Sequence, residues 1–382
     1  MTHPLRDAAH QCEAAFLKTL EDLVRLESPT QHKPSADTLA DYLETQLRAD
    51  NWEVERVQQT AVGDQIIARM VAANDGPKTL LLTHYDTVWP LGTLAEMPFR
   101  RDDNKVYGPG VLDMKAGIAV AMHAPALAKA LGRPLEGLLT LLVTSDEETG
   151  SAYSRELIET LAQEHDRVLV LEPGRDDGAL KVGRKGVGNF YATFTGQSAH
   201  AGNNPDDGAS ALRELAHYLL FAESLNDKDA ETTVNVTVAR GGTVSNVIAE
   251  KATATADMRV MQQSEAERVE AALRGYEPKD SRVSVEITGG LNRPPLELTD
   301  ANRALFEKAQ AAMDDLGFEL AGAVVGGGSD GSFTSALGIA TLDGLGSSGQ
   351  GPHARHEHIR VAETLDRLAL VTALITDAPA SS

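Results

Sequence analysis

The sequence contains a single cysteine, Cys12, so no intrachain disulfide can staple the fold, and this thiol reads as an ordinary helix residue. Basic residues are also scarce: 35 Lys and Arg stand against 56 Asp and Glu, a formal net charge of −21. A surface of that sign repels phosphate backbones and anionic headgroups, which argues against nucleic acid and membrane surfaces as partners. The first residues run into a mixed, charged helix pattern, and no signal peptide or membrane span is readable. A cytoplasmic protein is the expectation. What the chain does have is apolar material, 42% of 382 residues, enough for a sizeable core and for two domains.

Short apolar runs alternate with helical patterns, which predicts an α/β fold. Leu39, Leu43 and Leu47 mark an amphipathic helix over 35–50. The runs 79–84, 138–144 and 167–172 are continuously apolar, as central strands covered on both faces should be. Helices are expected over 117–131 and 153–163. From Val187 onward hydrophobicity alternates instead. Strands at 189–195, 232–239, 252–260 and 283–287, with helices at 210–225 and 265–274, give a β-α-β-β-α-β order, the ferredoxin-like arrangement. Residues 186–293 therefore read as a smaller α+β domain inserted into a larger one, made from 1–185 and 294–382 around a central, mostly parallel sheet. Helices at 301–316 and 362–374 complete the larger domain.

Five segments carry chemistry. His84 and Asp86 stand two residues apart at a strand end and point the same way, as a metal-bound histidine and its orienting carboxylate do. Asp113 sits between glycines at a helix start, where an ordinary N-cap is the competing reading. Asp146, Glu147 and Glu148 follow directly on an apolar strand and repel one another unless a cation neutralises them. Glu172 precedes Pro173 at the next strand end. In open α/β sheets ligand sites gather at the carboxyl ends of strands, so His84, Glu148 and Glu172 converge. Finally, a glycine-rich loop offers His353, His356 and His358, among which composition does not choose.

Taken in order, these segments resemble the zinc-dependent exopeptidases that include glutamate carboxypeptidase, aminoacylase, acetylornithine deacetylase and succinyl-diaminopimelate desuccinylase. The likeness is greatest to the bacterial glutamate carboxypeptidase branch, through Thr-His-Tyr-Asp-Thr-Val from Thr83, Gly-Gly-Gly-Ser-Asp at 326–330 and Gly-Gly-Thr-Val-Ser-Asn at 241–246. The resemblance implies two Zn²⁺ ions, replaceable by Co²⁺ or Mn²⁺. Asp113 would bridge them, His84 and Glu172 would complete one site, and Glu148 and His353 the other. It implies a cis peptide at Asp113–Met114, Glu147 as general base and Asp86 as the partner of His84. Glu357 would be a structural acid. His200 would reach the partner subunit's active site to stabilise an oxyanion, making a homodimer through 186–293. Asn246, Arg259 and Arg293 would bind the substrate's carbonyl and carboxylate. The activity implied is release of a C-terminal amino acid from a peptide or N-acyl amino acid. An aminoacylase or deacylase is the alternative, and a non-catalytic binding homologue a further one. One departure bears on specificity: Ala179 falls where this branch carries a glutamate-selecting lysine, with Lys181, Arg184 and Lys185 nearby.

Overall fold

The computed structural model describes residues 3–72 and 75–376. The chain forms two compact units. One comprises Met1–Gly183, Leu298–Val324 and Ser329–Ser382; the other comprises Arg184–Glu297 and Val325–Gly328.

The first unit is organised by an eight-stranded sheet. Its centre is a parallel set in the spatial order Leu138–Thr144, Thr79–His84, Arg167–Val170, Ala340–Asp343. The apolar runs behave as sheet periodicity requires. Leu81, Leu141 and Leu169 enter a core with the Ala116–Ala130 and Val361–Leu374 helices. Leu80, Leu82, Leu142 and Val168 face the other way, onto Ile158 and Leu161 of the Arg155–Gln163 helix and onto Phe333. Antiparallel strands flank this parallel centre, so the sheet as a whole is mixed. Glu53–Val57 and Gln65–Val71 form a hairpin whose second strand, Gln65–Val71, runs antiparallel to Leu138–Thr144. Leu180–Arg184 meets Ala340–Asp343 antiparallel on the far side. The short link between Val57 and Gln65 allows nothing else, because a parallel return needs a crossover of a dozen or more residues.

The Val111–Ala130 run is long and apolar enough to cross a membrane by length and composition, yet 83% of its most apolar window is buried inside the fold. It is a core helix by packing, and its first turn departs from helical geometry at Asp113 and Met114.

The second unit has the order strand Gly186–Thr195, helix Ala211–Glu223, strands Thr233–Gly241 and Lys251–Val260, helix Gln263–Arg274, strand Ser284–Arg293. The spatial strand order is second, third, first, fourth, antiparallel throughout. Phe190, Phe194 and Met258 face the helices through Tyr218, Val269 and Leu273, while Tyr191 points out. The segment 325–328 joins this unit through hydrogen bonds from the Lys185 amide to the Val325 carbonyl (3.0 Å) and from the Arg184 guanidinium to the Gly328 carbonyl (3.0 Å).

Two close approaches fix where Glu172 emerges. A Cβ on either Gly117 or Gly346 would collide with the carbonyl oxygen of Leu171. Replacing a helical glycine by alanine gains about 0.5–1 kcal/mol in propensity, whereas overpacking a core costs about 1–3 kcal/mol. Gly117→Ala is therefore expected to lower the urea midpoint; an unchanged or raised midpoint would show that this contact does not constrain the strand end.

Candidate metal centre

Three parallel strands deliver their ends to one place in the first unit. His84 closes its strand, Glu147–Thr149 makes a short 3-10 turn just beyond Thr144, and Glu172 lies just past Val170. Asp113 comes from the distorted first turn of the core helix, where the Asp113–Met114 peptide is cis. His353 arrives from the loop that follows Gly349–Gln350 and holds a left-handed backbone at φ 60°, a conformation uncommon outside glycine that aims its ring at the acids.

The side chains form two groups that share one residue: His84, Asp113 and Glu172 in one, Asp113, Glu148 and His353 in the other. His84 Nε2 lies 3.3 Å from Asp113 Oδ1 and 3.2 Å from Glu172 Oε1. His353 Nε2 lies 3.4 Å from the opposite oxygen, Asp113 Oδ2, and 3.1 Å from Glu148 Oε2. Each oxygen of Asp113 thus serves a different group. His84 Nε2 and Asp113 Oδ1 are both buried and find no hydrogen-bond partner among the described residues, despite their closeness. Nitrogen and oxygen ligands at about 2.0–2.1 Å from a tetrahedral zinc stand about 3.3–3.4 Å apart, so the observed spacings suit atoms aimed at a common cation.

The ring orientations follow from their surroundings. His84 Nδ1 faces Asp86, with its carbonyl at 3.1 Å and Oδ1 at 3.3 Å, which leaves Nε2 toward Asp113 and Glu172 and available to a metal. Asp86 is fully buried. It accepts from Thr30 Oγ1 (2.6 Å) and from the amides of Glu147 and Glu148 (3.2 Å each), so it also pins the acidic turn. Glu357 does the equivalent for the aspartate. It accepts from the amides of Gly110 (2.9 Å), Leu112 (2.9 Å) and Asp113 (3.1 Å) and from the Trp89 indole (2.9 Å). Burial pushes the Glu357 carboxyl up to about 7 against the pull of these donors.

Electrostatics reflect the crowding. Burial favours neutral His84, but Asp113, Asp86 and Glu172 outweigh it and hold the imidazole well above its ordinary range. Hydrogen bonds to Asp113 and Glu148 raise His353 to about 10. Burial opposes ionisation of Asp113, yet His353 and His84 drive its pKa down; burial raises Glu148 despite His353.

Of the three late histidines, His353 reaches the cluster. His356 is exposed, and His358 is buried with Nδ1 2.8 Å from the His356 carbonyl. Glu147 is half-buried on the acidic turn. Sequence reasoning missed Thr30 and Trp89, which sit far from their carboxylates along the chain and carry no local signal.

The remaining candidates lie in the second unit. His200 is exposed, and its Nδ1 accepts from the amides of Gly202 and Asn203, both at 3.1 Å. Asn246, also exposed, is its neighbour: the Asn246 carbonyl accepts from the Ala201 amide at 2.9 Å. Arg259 pairs with Asp257 at 2.9 Å and donates to the Gly326 carbonyl at 3.3 Å. Arg293 is buried beside Gly328, whose added Cβ would press on its side chain. His200 and Asn246 thus lie together, while Arg259 and Arg293 each adjoin the 326–328 segment.

Comparison with known proteins agrees with this chemistry. The chain is 33% identical to carboxypeptidase G2 of Pseudomonas sp. (strain RS-16), over 98% of this chain and 91% of that protein. It is 31% identical to succinyl-diaminopimelate desuccinylase of Alkalilimnicola ehrlichii, over 86% and 90%. Its fold matches that of the aminopeptidase PepT from Bacillus cereus with a TM-score of 0.81 at 24% identity, covering 95% of this chain and 98% of that one. The sequence profile described as Peptidase family M20/M25/M40 matches residues 80–377. The chain belongs to this peptidase family and is a hydrolytic enzyme that depends on divalent metal.

Proposed function

We propose that this enzyme uses two zinc ions to hydrolyse an amide bond, releasing a C-terminal amino acid from a peptide or N-acyl amino acid. The observation that carries the reading is the division of Asp113, with one oxygen toward His84 and the other toward His353. His84, Asp113 and Glu172 would hold one ion, and Asp113, Glu148 and His353 the other. Two bound cations supply Lewis-acid polarisation of the scissile carbonyl and make an attacking water more acidic. Glu147 would take that water's proton and pass it to the leaving amine. Asp86 would keep this base in place by holding the amides of the acidic turn.

In the second unit, the His200 ring accepts at Nδ1 and so carries its proton at Nε2, which suits a donor to an oxyanion. Asn246, Arg259 and Arg293 would bind the substrate's carbonyl and carboxylate. A homodimer through residues 186–293 is supported by the edge position of Thr233–Gly241 and by exposed Leu220 and Val238. Monomeric sedimentation at assay concentration would remove this part of the proposal. Carboxypeptidase and deacylase readings share the centre and differ in the acyl group. Ala179 is buried in the first unit, and its methyl side chain offers no charge to a glutamate side chain. A panel of folate-like, dipeptide and N-acyl amino acid substrates would separate the two.

The histidine shifts fix a pH dependence. In metal-free protein His353, raised to about 10, is protonated throughout the neutral range, and a cation must displace that proton. Zinc affinity should therefore rise with pH, by about tenfold per unit for each proton released. Calorimetry in buffers of different ionisation enthalpy measures the release; pH-independent binding would contradict it. Glu147→Gln should lower kcat by roughly 10²–10⁴-fold, the usual worth of a positioned base, with bound zinc unchanged by elemental analysis. Wild-type turnover in that variant would sink the assigned role.

A further inference from the structure

A groove of about 900 Å³ opens in the first unit, away from the metal centre. Its walls come from the turn at 50–53, the strand end at 69–72, the last turns of the Ala116–Ala130 helix and the loop at 132–135. Leu135 lines it just before the Leu138–Thr144 strand begins, whereas the acidic turn follows that strand's other end. At about 3.3 Å per residue, the strand separates the two places by roughly 20 Å.

The lining is chemically divided. Trp52, Met70, Met122, Pro125 and Leu135 make an apolar wall, and Val71 beside them is 80% exposed. The Trp52 indole N–H is buried and finds no acceptor among the described residues. Lys129 and Arg133 stand on the same groove with no ion-pair partner among the described residues, while Arg69 is held by Glu55 at 3.0 Å. On a chain of net charge −21, two cations without ion-pair partners over an apolar concavity make this rim less acidic than the surface at large. Asp50 and Glu53 also reach the groove, which disfavours a polyanion and suits a single negative headgroup. Size and polarity match a small-molecule site, and the two methionines suit a pliable chain.

We propose that this groove binds the carboxylate of a medium-chain acyl acid, with the head at Lys129 and Arg133 and the tail against Met70, Met122 and Trp52. The test is calorimetric titration of decanoate, and of decanol, into the zinc-loaded enzyme and two variants. Lys129→Glu/Arg133→Glu reverses the rim charge at one exposed and one half-buried position, and Met122→Trp fills the floor. Support is decanoate binding to the wild type that weakens roughly tenfold or more in each variant, a difference of the size a lost charge pair or a blocked floor produces, with hydrolytic activity retained. Absence of binding to the wild type overturns the proposal. So does equal binding to all three proteins, which would put the anion elsewhere, the metal centre included. Decanol binding as tightly as decanoate would overturn the role given to the cations. If Met122→Trp fails to fold, the charge-reversal variant alone decides.

Discussion

Asp113, Glu148 and Glu172 converge with two imidazoles in a space where each neighbour is about a van der Waals contact away, and Glu147 and Asp86 stand just behind them. Asp113 lies within 4.8 Å of Glu172 in one group and of Glu148 in the other, and carboxylates that close repel in a poorly hydrated site. A divalent cation would relieve that repulsion, and in the proposed two-ion reading Asp113, which faces both groups, would share its charge between them. Much of the surrounding structure exists to hold that one carboxylate in place.

Its support comes from long-range hydrogen bonds rather than from the helix it begins. Glu357 gathers the amides of Gly110, Leu112 and Asp113 itself onto one buried acceptor, which holds the distorted turn. Asp86 couples the opposite wall: the same carboxylate that orients His84 receives the amides of Glu147 and Glu148. The parallel strands contribute by ending together, and the close approach of Gly117 and Gly346 to Leu171 sets how far the Glu172 strand end can move. Position, orientation and acidity at the centre are therefore consequences of packing at the carboxyl ends of the central strands.

The central strands were legible because residues such as Leu80, Leu81 and Leu82 are buried on alternating faces without interruption, a pattern that composition alone carries. The alternation from Val187 onward likewise announced the antiparallel sheet of the second unit. Less was readable at the margins: short strands such as Glu53–Val57 lack an apolar run, so the antiparallel edges of the large sheet went unseen. The attachment of 325–328 to the second unit depends on backbone partners at Lys185 and Arg184, which leave no trace in side-chain pattern. At the centre, strand-end placement marked His84, Glu148 and Glu172. Choosing His353 over His356 and His358 required family register, since the backbone angle that aims it is not encoded by composition. Thr30 and Trp89 were invisible because their partners lie more than 50 residues away in each case.

The central claim is that one aspartate is shared by two cations. Anomalous scattering at the zinc edge from crystals of the zinc-loaded enzyme tests it directly. The account predicts two peaks, one beside His84 and Glu172 and one beside Glu148 and His353, with the Asp113 carboxylate between them. A single peak at full zinc loading, or two peaks that do not both contact Asp113, would contradict it.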